Sequence, residues 1–286
     1  MPKSDEYQER WVGAWRVQIL PGRWNEDLQQ RVLTVAMMEP AAKHPRTIEI
    51  DGAVNPEKVF LKIFHPTPRP AAIKDVFRVS KSFRFWRQGL ALSAAGFHTP
   101  RVLAAGELRR CRVMQRGFVV TEEIEGKPLP EFLANLQRRP DRLPIKREGI
   151  SVLAEAIRRL HDLGFVHGDM VASNIFVAAE DDCKVKFYFM DNDRTRRLPR
   201  WMPHSLWKRN LIQLNRLPLP GIQLQDRMRF LRAYLGNPRW SRRERDFARW
   251  IELRTRQRRR ECDGTEETSF RELMRWTGES IASRES

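Results

Sequence analysis

The chain has 286 residues, 41% of them hydrophobic and 31% charged, which is enough to bury one two-part globular domain and too apolar for a disordered chain. No apolar run approaches the length needed to span a bilayer, and MPKSDEYQER at the start lacks the apolar stretch of a signal peptide, so a cytoplasmic protein is expected. Its 53 Lys and Arg against 36 Asp and Glu give a formal charge of +17, which points to an anionic partner.

In chain order, Trp11, Trp15 and Trp24 punctuate a polar region, and QRVLTVAMMEP followed by RTIEID reads as the first strands, with PAAKHP as a loop between them. VFLKIF (59–64) is strand-like and carries Lys62 in a β-branched and aromatic setting. The preceding IEIDGAVNPEKVF has a single Gly and no glycine-rich phosphate loop. HPTPRPAAIKD (65–75) is too Pro-rich for a continuous helix or a central strand and serves as a connector. SKSFRFWRQGLALSAAG (80–96) reads as a helix, and GFVVTEEIEG (117–126) as a strand running out through Glu122 to Ile124. In SVLAEAIRRLHDLG (151–164), Leu153, Ala156, Ile157, Leu160 and Leu163 fall on one helical face, and Gly164 suits a left-handed cap.

HGDMVASN (167–174) follows that cap. Two strand-like runs come next, NIFV (174–177) and KVKFYFM (184–190), with the turn-rich AAEDDC between them, and MDND (190–193) closes the hairpin. An Asp with an Asn five residues later, and a second Asp at the end of the following hairpin, resembles the catalytic centre of protein-kinase-like phosphotransferases. There the first Asp orients the acceptor hydroxyl, while the Asn and the second Asp hold the metal. Those positions are Asp169, Asn174 and Asp191. Lys62, on a strand ahead of a helix and a second strand, suits the lysine that pairs with nucleotide phosphates. The strand ending at Glu122 to Ile124 then becomes the hinge, with Thr121 beside the adenine and backbone hydrogen bonds from Glu122 and Ile124.

HTPRVLAAGE, HGDMVASNIFV, FMDNDRTRRLP and RNLIQLNRLPLPGIQLQDRMRFLRAYLG together resemble the bacterial lipopolysaccharide kinase family, which phosphorylates Kdo or heptose of the inner core. The similarity runs from Lys62 to Gly236. Its most distinctive stretch follows MDNDR: basic residues, an Asn-Leu pair, then D-R-x-x-F-L-x-x-Y. The resemblance implies an α+β, two-lobed protein-kinase-like fold, with an N-lobe over 1–125, a C-lobe over 126–240 and a basic helical extension over 241–286. It also implies ATP and Mg2+ as cofactors, and transfer of the γ-phosphoryl group to a sugar hydroxyl. Arg194, Arg196 and Arg197, just past Asp191, then become candidates for holding acidic Kdo or core phosphates; a solvated loop accounts for them equally well.

The chain departs from protein kinases in informative ways. HGD lacks the Arg that senses activation-loop phosphorylation, so that regulation is not expected. Asp193 stands where protein kinases have a flexible Gly, which implies a permanently poised metal site. In the 80–96 helix Phe85 occupies the place where an acidic partner for Lys62 is expected, and Asp75 is a poor substitute. From Arg227 to Arg260 there are thirteen Arg, no Lys and three acids. Such a segment suits a phosphorylated glycolipid headgroup or an anionic membrane surface, while nucleic acid is disfavoured because no recognised binding motif is present. Phe230, Leu231, Tyr234 and Leu235 lie near helical spacing and dock this segment, with Trp240, Phe247 and Trp250 continuing the stripe. A short amphipathic helix is expected within the last 23 residues, from Gly264 on. Cys111, Cys183 and Cys262 show no metal-ligand spacing. A kinase for another small molecule, a Ser/Thr protein kinase (disfavoured by the lack of an A-P-E-like motif) and a non-catalytic nucleotide-binding scaffold are the alternatives.

Overall fold

The computed structural model describes residues 6–40, 46–51, 58–66, 78–137, 143–179, 184–199, 201, 205–216, 219, 221–237 and 239–261. The chain divides into two compact units, one reaching to Glu125 and including Asp191–Arg194, the other formed by Gly126–Met190 and the chain from Thr195 on.

The first unit is built on β1 (Gln8–Val12), β2 (Trp15–Ile19), β3 (Arg46–Asp51), β4 (Lys58–Phe64), β5 (Val102–Arg110) and β6 (Val113–Glu122), in the sheet order β1-β2-β5-β6-β4-β3. Neighbouring strands pair antiparallel. In β4 the two-residue period sends Val59, Leu61 and Ile63 into the core and leaves Lys62 on the other face. Helix α2 (Lys81–Ala94) buries Phe83, Phe85, Trp86 and Leu92, and begins with the Ser80 hydroxyl accepting the Phe83 N–H at 3.3 Å.

QRVLTVAMMEP is not a strand. Its residues 30–38 lie in helix α1 (Glu26–Met38), which the Asn25 side chain caps by accepting the Leu28 N–H at 2.8 Å. Leu28, Val32 and Ala36 form the buried stripe at i, i+4 and i+8, so a helical period overrides the β-branched character of Val-Leu-Thr-Val. Arg116 of β6 ties the end of α1 to the sheet through the Ala36 and Glu39 carbonyls, at 2.9 and 2.6 Å.

The second unit contains β7 (Lys127–Pro128), α3 (Leu129–Gln137), α4 (Leu143–Asp162), β8 (Phe165–Val166), β9 (Ile175–Ala179), β10 (Val185–Phe189), β11 (Arg196–Arg197), α5 (Leu206–Asn215), α6 (Leu224–Leu235) and α7 (Arg242–Glu261). β9 and β10 pair antiparallel, and β7 lies on the other side of β9; the 180–183 turn falls outside the described residues. Helix α4 ends at Gly164, whose φ of +82° is the left-handed cap. A Cβ there would run into the Leu198 carbonyl, and the Gly164 carbonyl itself accepts the Leu198 N–H at 2.8 Å. This close approach pairs β11 with β8 beside the loop that begins at His167.

Helices α4 and α6 are joined by Lys146, which donates to Asp226 at 2.8 Å and to the Gly221 carbonyl at 2.9 Å. Asp226 is itself buried, and it accepts the Gln223 N–H at the start of α6. Tyr234 is buried, with Phe230, Leu231 and Leu235 half-buried around it. On α5, the Lys208 ammonium lies 5.5, 5.9 and 5.1 Å from the ring centres of Trp207, Phe247 and Trp250, which fastens α7 to α5. Among the described residues no helix is long and apolar enough to cross a membrane. Asp75, Cys183, Cys262, the Gly52 turn and the helix expected near the end of the chain lie outside the described residues.

Candidate active site

Lys62 donates to Asp191 within the first unit. The Lys62 side chain is 16% exposed, so this pair is screened less than a surface ion pair. The ammonium also sits 5.3 Å from the centre of the Phe64 ring and 5.7 Å from that of Phe85. Phe85, found where an acidic partner was expected, therefore contributes an aromatic wall, and Asp191 supplies the carboxylate. Asp191 has φ +56°, a backbone that a non-glycine residue adopts at a cost of about 1–3 kcal/mol. The turn Asn192–Arg194 packs on α2 and buries Asp193. Burial pushes the Asp193 carboxyl up to about 7, helped by its hydrogen bond to Asp191 and that residue's negative charge, while Lys62 and Arg194 pull the other way.

The loop from His167 to Asn174 lies in the second unit, and its backbone is hydrogen-bonded from His167 to Ala172 and again at Asn174. The His167 N–H reaches Asn210 Oδ1 at 3.0 Å, and the His167 carbonyl accepts from Asn210 Nδ2. The Gly168 carbonyl accepts from Gln213 Nε2 at 3.3 Å, and the Met170 N–H donates to Gln213 Oε1 at 3.4 Å. The Asp169 carbonyl accepts from Asn174 Nδ2 at 2.9 Å and from the Val171 N–H at 3.0 Å. His167 Nε2 lies 2.7 Å from the Met190 carbonyl, which can only accept, so Nε2 carries the proton and Nδ1 accepts the Asp169 N–H at 3.3 Å. His167 is thus a structural clamp in its neutral form. Met190 is held at its other end as well, its N–H donating to the Asn174 carbonyl at 2.9 Å, which fixes the point where the chain leaves β10 for Asp191.

Two groups of this loop are left over. Among the described residues the Asp169 carboxylate and the Asn174 Oδ1 have no hydrogen-bond partner. A carboxylate on a fixed backbone is suited to taking a proton, and an amide oxygen to ligating a hard cation. Among the described residues no three His, Cys, Asp or Glu side chains cluster closely enough to hold a metal alone. That is compatible with magnesium, which takes one or two carboxylates and completes its shell with phosphates and water.

The remaining candidates are placed as follows. Glu122 ends β6, its N–H already donating to the Arg101 carbonyl at 3.0 Å, and the Glu123 N–H donates to Lys58 at 3.2 Å. Ile124 carries no such bond among the described residues. Arg194 is exposed in the first unit; Arg196 and Arg197 are exposed on β11 of the second, where Arg197 lies 5.2 Å from the Phe165 ring centre. Sequence reasoning noted Asn210 only as the Asn of the Asn-Leu pair after MDNDR, with no role, and did not single out Gln213 in the same segment. The available signal was their polarity on the helical face that carries Leu211 and Leu214.

A six-stranded sheet unit with a half-buried Lys paired to Asp191, followed by a mainly helical unit with an Asp-bearing loop and a hairpin, is the architecture of the protein-kinase-like class. WaaP, solved in complex with acyl carrier protein, aligns over 82% of this chain and 97% of its own at 20% identity and a TM-score of 0.57, which establishes that fold. The PknI kinase domain of Mycobacterium tuberculosis aligns over 71% of this chain and 74% of its own, at 14% identity and a TM-score of 0.36. No curated protein matches the chain. The model of the lipopolysaccharide kinase (Kdo/WaaP) family matches residues 71–234, more than half of the sequence, and the chain belongs to that family.

Proposed function

We propose that this protein transfers the γ-phosphoryl group of ATP, with Mg2+, to a hydroxyl of an inner-core sugar of lipopolysaccharide, Kdo or heptose. The observation that carries this reading is the His167–Asn174 loop, whose backbone is held on both sides of Asp169 while the Asp169 carboxylate stays free. Lys62 binds the nucleotide phosphates, exchanging Asp191 for them, and Asp191 and Asn174 would hold the metal. Asp169 accepts a hydrogen bond from the acceptor hydroxyl and takes its proton as the bond from the sugar oxygen to the γ-phosphorus forms and the bond from that phosphorus to the β,γ-bridging oxygen breaks, with ADP as the leaving group. When bound, magnesium-ATP supplies the phosphoryl group and the positive charge that offsets its transfer. Because the transition state asks for little covalent help, positioning and charge neutralisation supply most of the acceleration. Glu122 and Ile124 take the adenine side through their backbone groups, Ile124 with its N–H. Arg194, Arg196 and Arg197 hold the carboxylate or phosphates of the acceptor.

The exposed arginines of α7 suit the anionic headgroups among which such an acceptor resides, so we place the enzyme on the cytoplasmic face of the inner membrane, with 241–286 as its basic extension. A non-catalytic scaffold is favoured by one observation, the Phe85 side chain beside Lys62. Incubating the protein with γ-labelled ATP, Mg2+ and either Kdo-lipid A or heptosylated core separates the two readings. The kinase reading expects phosphate on the sugar with one of these acceptors. Nucleotide binding without incorporation into either one contradicts it.

A further inference from the structure

The catalytic loop is held by a relay that begins in the segment after MDNDR. Asn210 on α5 is only 1% exposed, and its neighbours Leu211 and Leu214 show that an apolar side chain suits this face. Burying an amide is unfavourable unless its hydrogen bonds are made. Asn210 makes all four. Its Oδ1 accepts the His167 N–H at 3.0 Å and faces His161 Nε2 at 3.1 Å; its Nδ2 donates to the His167 carbonyl and to Gln213 Oε1, the latter at 3.2 Å. Because Oδ1 can only accept, His161 Nε2 carries the proton. In the neutral ring His161 Nδ1, at 2.9 Å from the Tyr234 hydroxyl, then accepts a hydrogen bond from that hydroxyl. The relay is therefore fully assigned in direction: Tyr234 to His161, His161 to Asn210, and Asn210 with Gln213 to the backbone of residues 167–170. None of these four side chains has a direct role in the transfer step above.

We infer that Asn210 and Gln213 are positioning residues that hold the loop so that Asp169 meets the acceptor hydroxyl, and that Tyr234, acting through His161, holds Asn210. This rests on the phosphotransfer reading for its effect on rate, and on geometry alone for its effect on the loop. It gives a role to the Asn-Leu pair and to the terminal Tyr of D-R-x-x-F-L-x-x-Y. In this chain a constitutive helix contact does what a regulated loop contact could otherwise do, in keeping with the absence of an Arg at Gly168.

The test compares Asn210→Leu, Asn210→Asp, Gln213→Leu and Tyr234→Phe with the wild type in the full chain. Hydrogen exchange of the peptide covering 165–171 is measured beside transfer rates well below each variant's melting temperature. Asn210→Leu is expected to speed exchange of this peptide at least ~10-fold and to lower kcat roughly 10- to 100-fold, while KM for ATP stays within about 2-fold. Asn210→Asp keeps the acceptor side, opposes a carboxylate to two carbonyl oxygens, and falls between. Tyr234→Phe lowers kcat by roughly 3- to 10-fold alone, and adds nothing in the Asn210→Leu background, because residues of one relay are not additive. Exchange at 165–171 that matches the wild type in folded Asn210→Leu overturns the inference. So does faster exchange with unchanged kcat, or strict additivity of the Tyr234 and Asn210 effects. If the wild type phosphorylates no acceptor, the phosphotransfer reading fails by itself, and the exchange comparison alone decides whether Asn210 holds the loop.

Discussion

The Lys62 cluster of the first unit and the Asp169 loop of the second restrain their functional groups in opposite ways. Around Lys62, charge is held by charge: its ammonium is bonded to Asp191, Asp191 is bonded to Asp193, and two aromatic rings close the sides. In the loop the restraint comes through backbone groups and through the His167 and Asn174 side chains, and the Asp169 carboxylate bears none. On the proposed reading, groups that meet a highly charged nucleotide are stored as an ion pair because the incoming phosphates and cation replace each lost partner. A group proposed to orient a neutral hydroxyl has no such replacement, so it is held through its backbone and its side chain is left available.

Substitutions can break this contrast from either side. Asp191→Ala removes the partner of Lys62 and the carboxylate proposed for the metal together, and we expect phosphate transfer to fall by ~10^3-fold or more, with magnesium-dependent nucleotide binding lost in calorimetry. Lys62→Ala leaves the carboxylates in place and is expected to lower kcat/KM for ATP by about 10^2-fold. An equal loss of acceptor affinity in Lys62→Ala would show that the two regions do not divide their tasks in this way.

The support beneath the loop gives smaller effects, read as stability. Lys146 and Asp226 are 14% and 7% exposed, so Asp226→Asn leaves a buried ammonium without its charge partner and is expected to cost about 3 kcal/mol in urea unfolding at pH 7. Burial alone would raise the Asp226 carboxyl. The hydrogen bonds from Lys146 and the Gln223 N–H, with the charges of Lys146 and Arg229, instead hold it below its ordinary value. A lowered folded value means that the unfolded chain takes up the proton first. The stabilisation is therefore complete above about pH 4 and is lost as the pH falls through the folded value. Asp226→Asn should flatten that acid limb, and an unchanged limb would remove Asp226 from the account. The smallest effect expected is that of Gly164→Ala, at about 2 kcal/mol, since it combines a left-handed backbone with a Cβ placed against the Leu198 carbonyl.

Much of the loop and its surroundings was legible because local chemistry dictated it. Gly164 announced the end of α4, the strand-like runs NIFV and KVKFYFM with the turn-rich stretch between them announced β9 and β10, and the spacing of Asp169, Asn174 and Asp191 drew attention to a single hairpin. Helix α1 was not legible, since Val32, Leu33 and Val35 suit a strand as well as a helix, and the cap that decides it is a single Asn25 contact. Phe85 could be seen to be the wrong residue for an acid, but not to pack on Lys62. That takes the six-stranded sheet, which sets β4 beside α2. Asn210 and Gln213 were hidden for a related reason. Their partners lie 43 to 49 residues earlier in the chain, and a polar residue on an apolar helix face names no partner by itself.

The most direct test of the central claim is a single-turnover transfer from γ-labelled ATP to heptosylated Kdo-lipid A by the wild type and by Asp169→Ala, with nucleotide occupancy measured in the same samples. The account predicts equal occupancy, phosphorylated sugar from the wild type, and transfer slowed by about 10^2- to 10^4-fold in Asp169→Ala. Undiminished transfer by Asp169→Ala would contradict it, as would occupancy that falls in step with the rate.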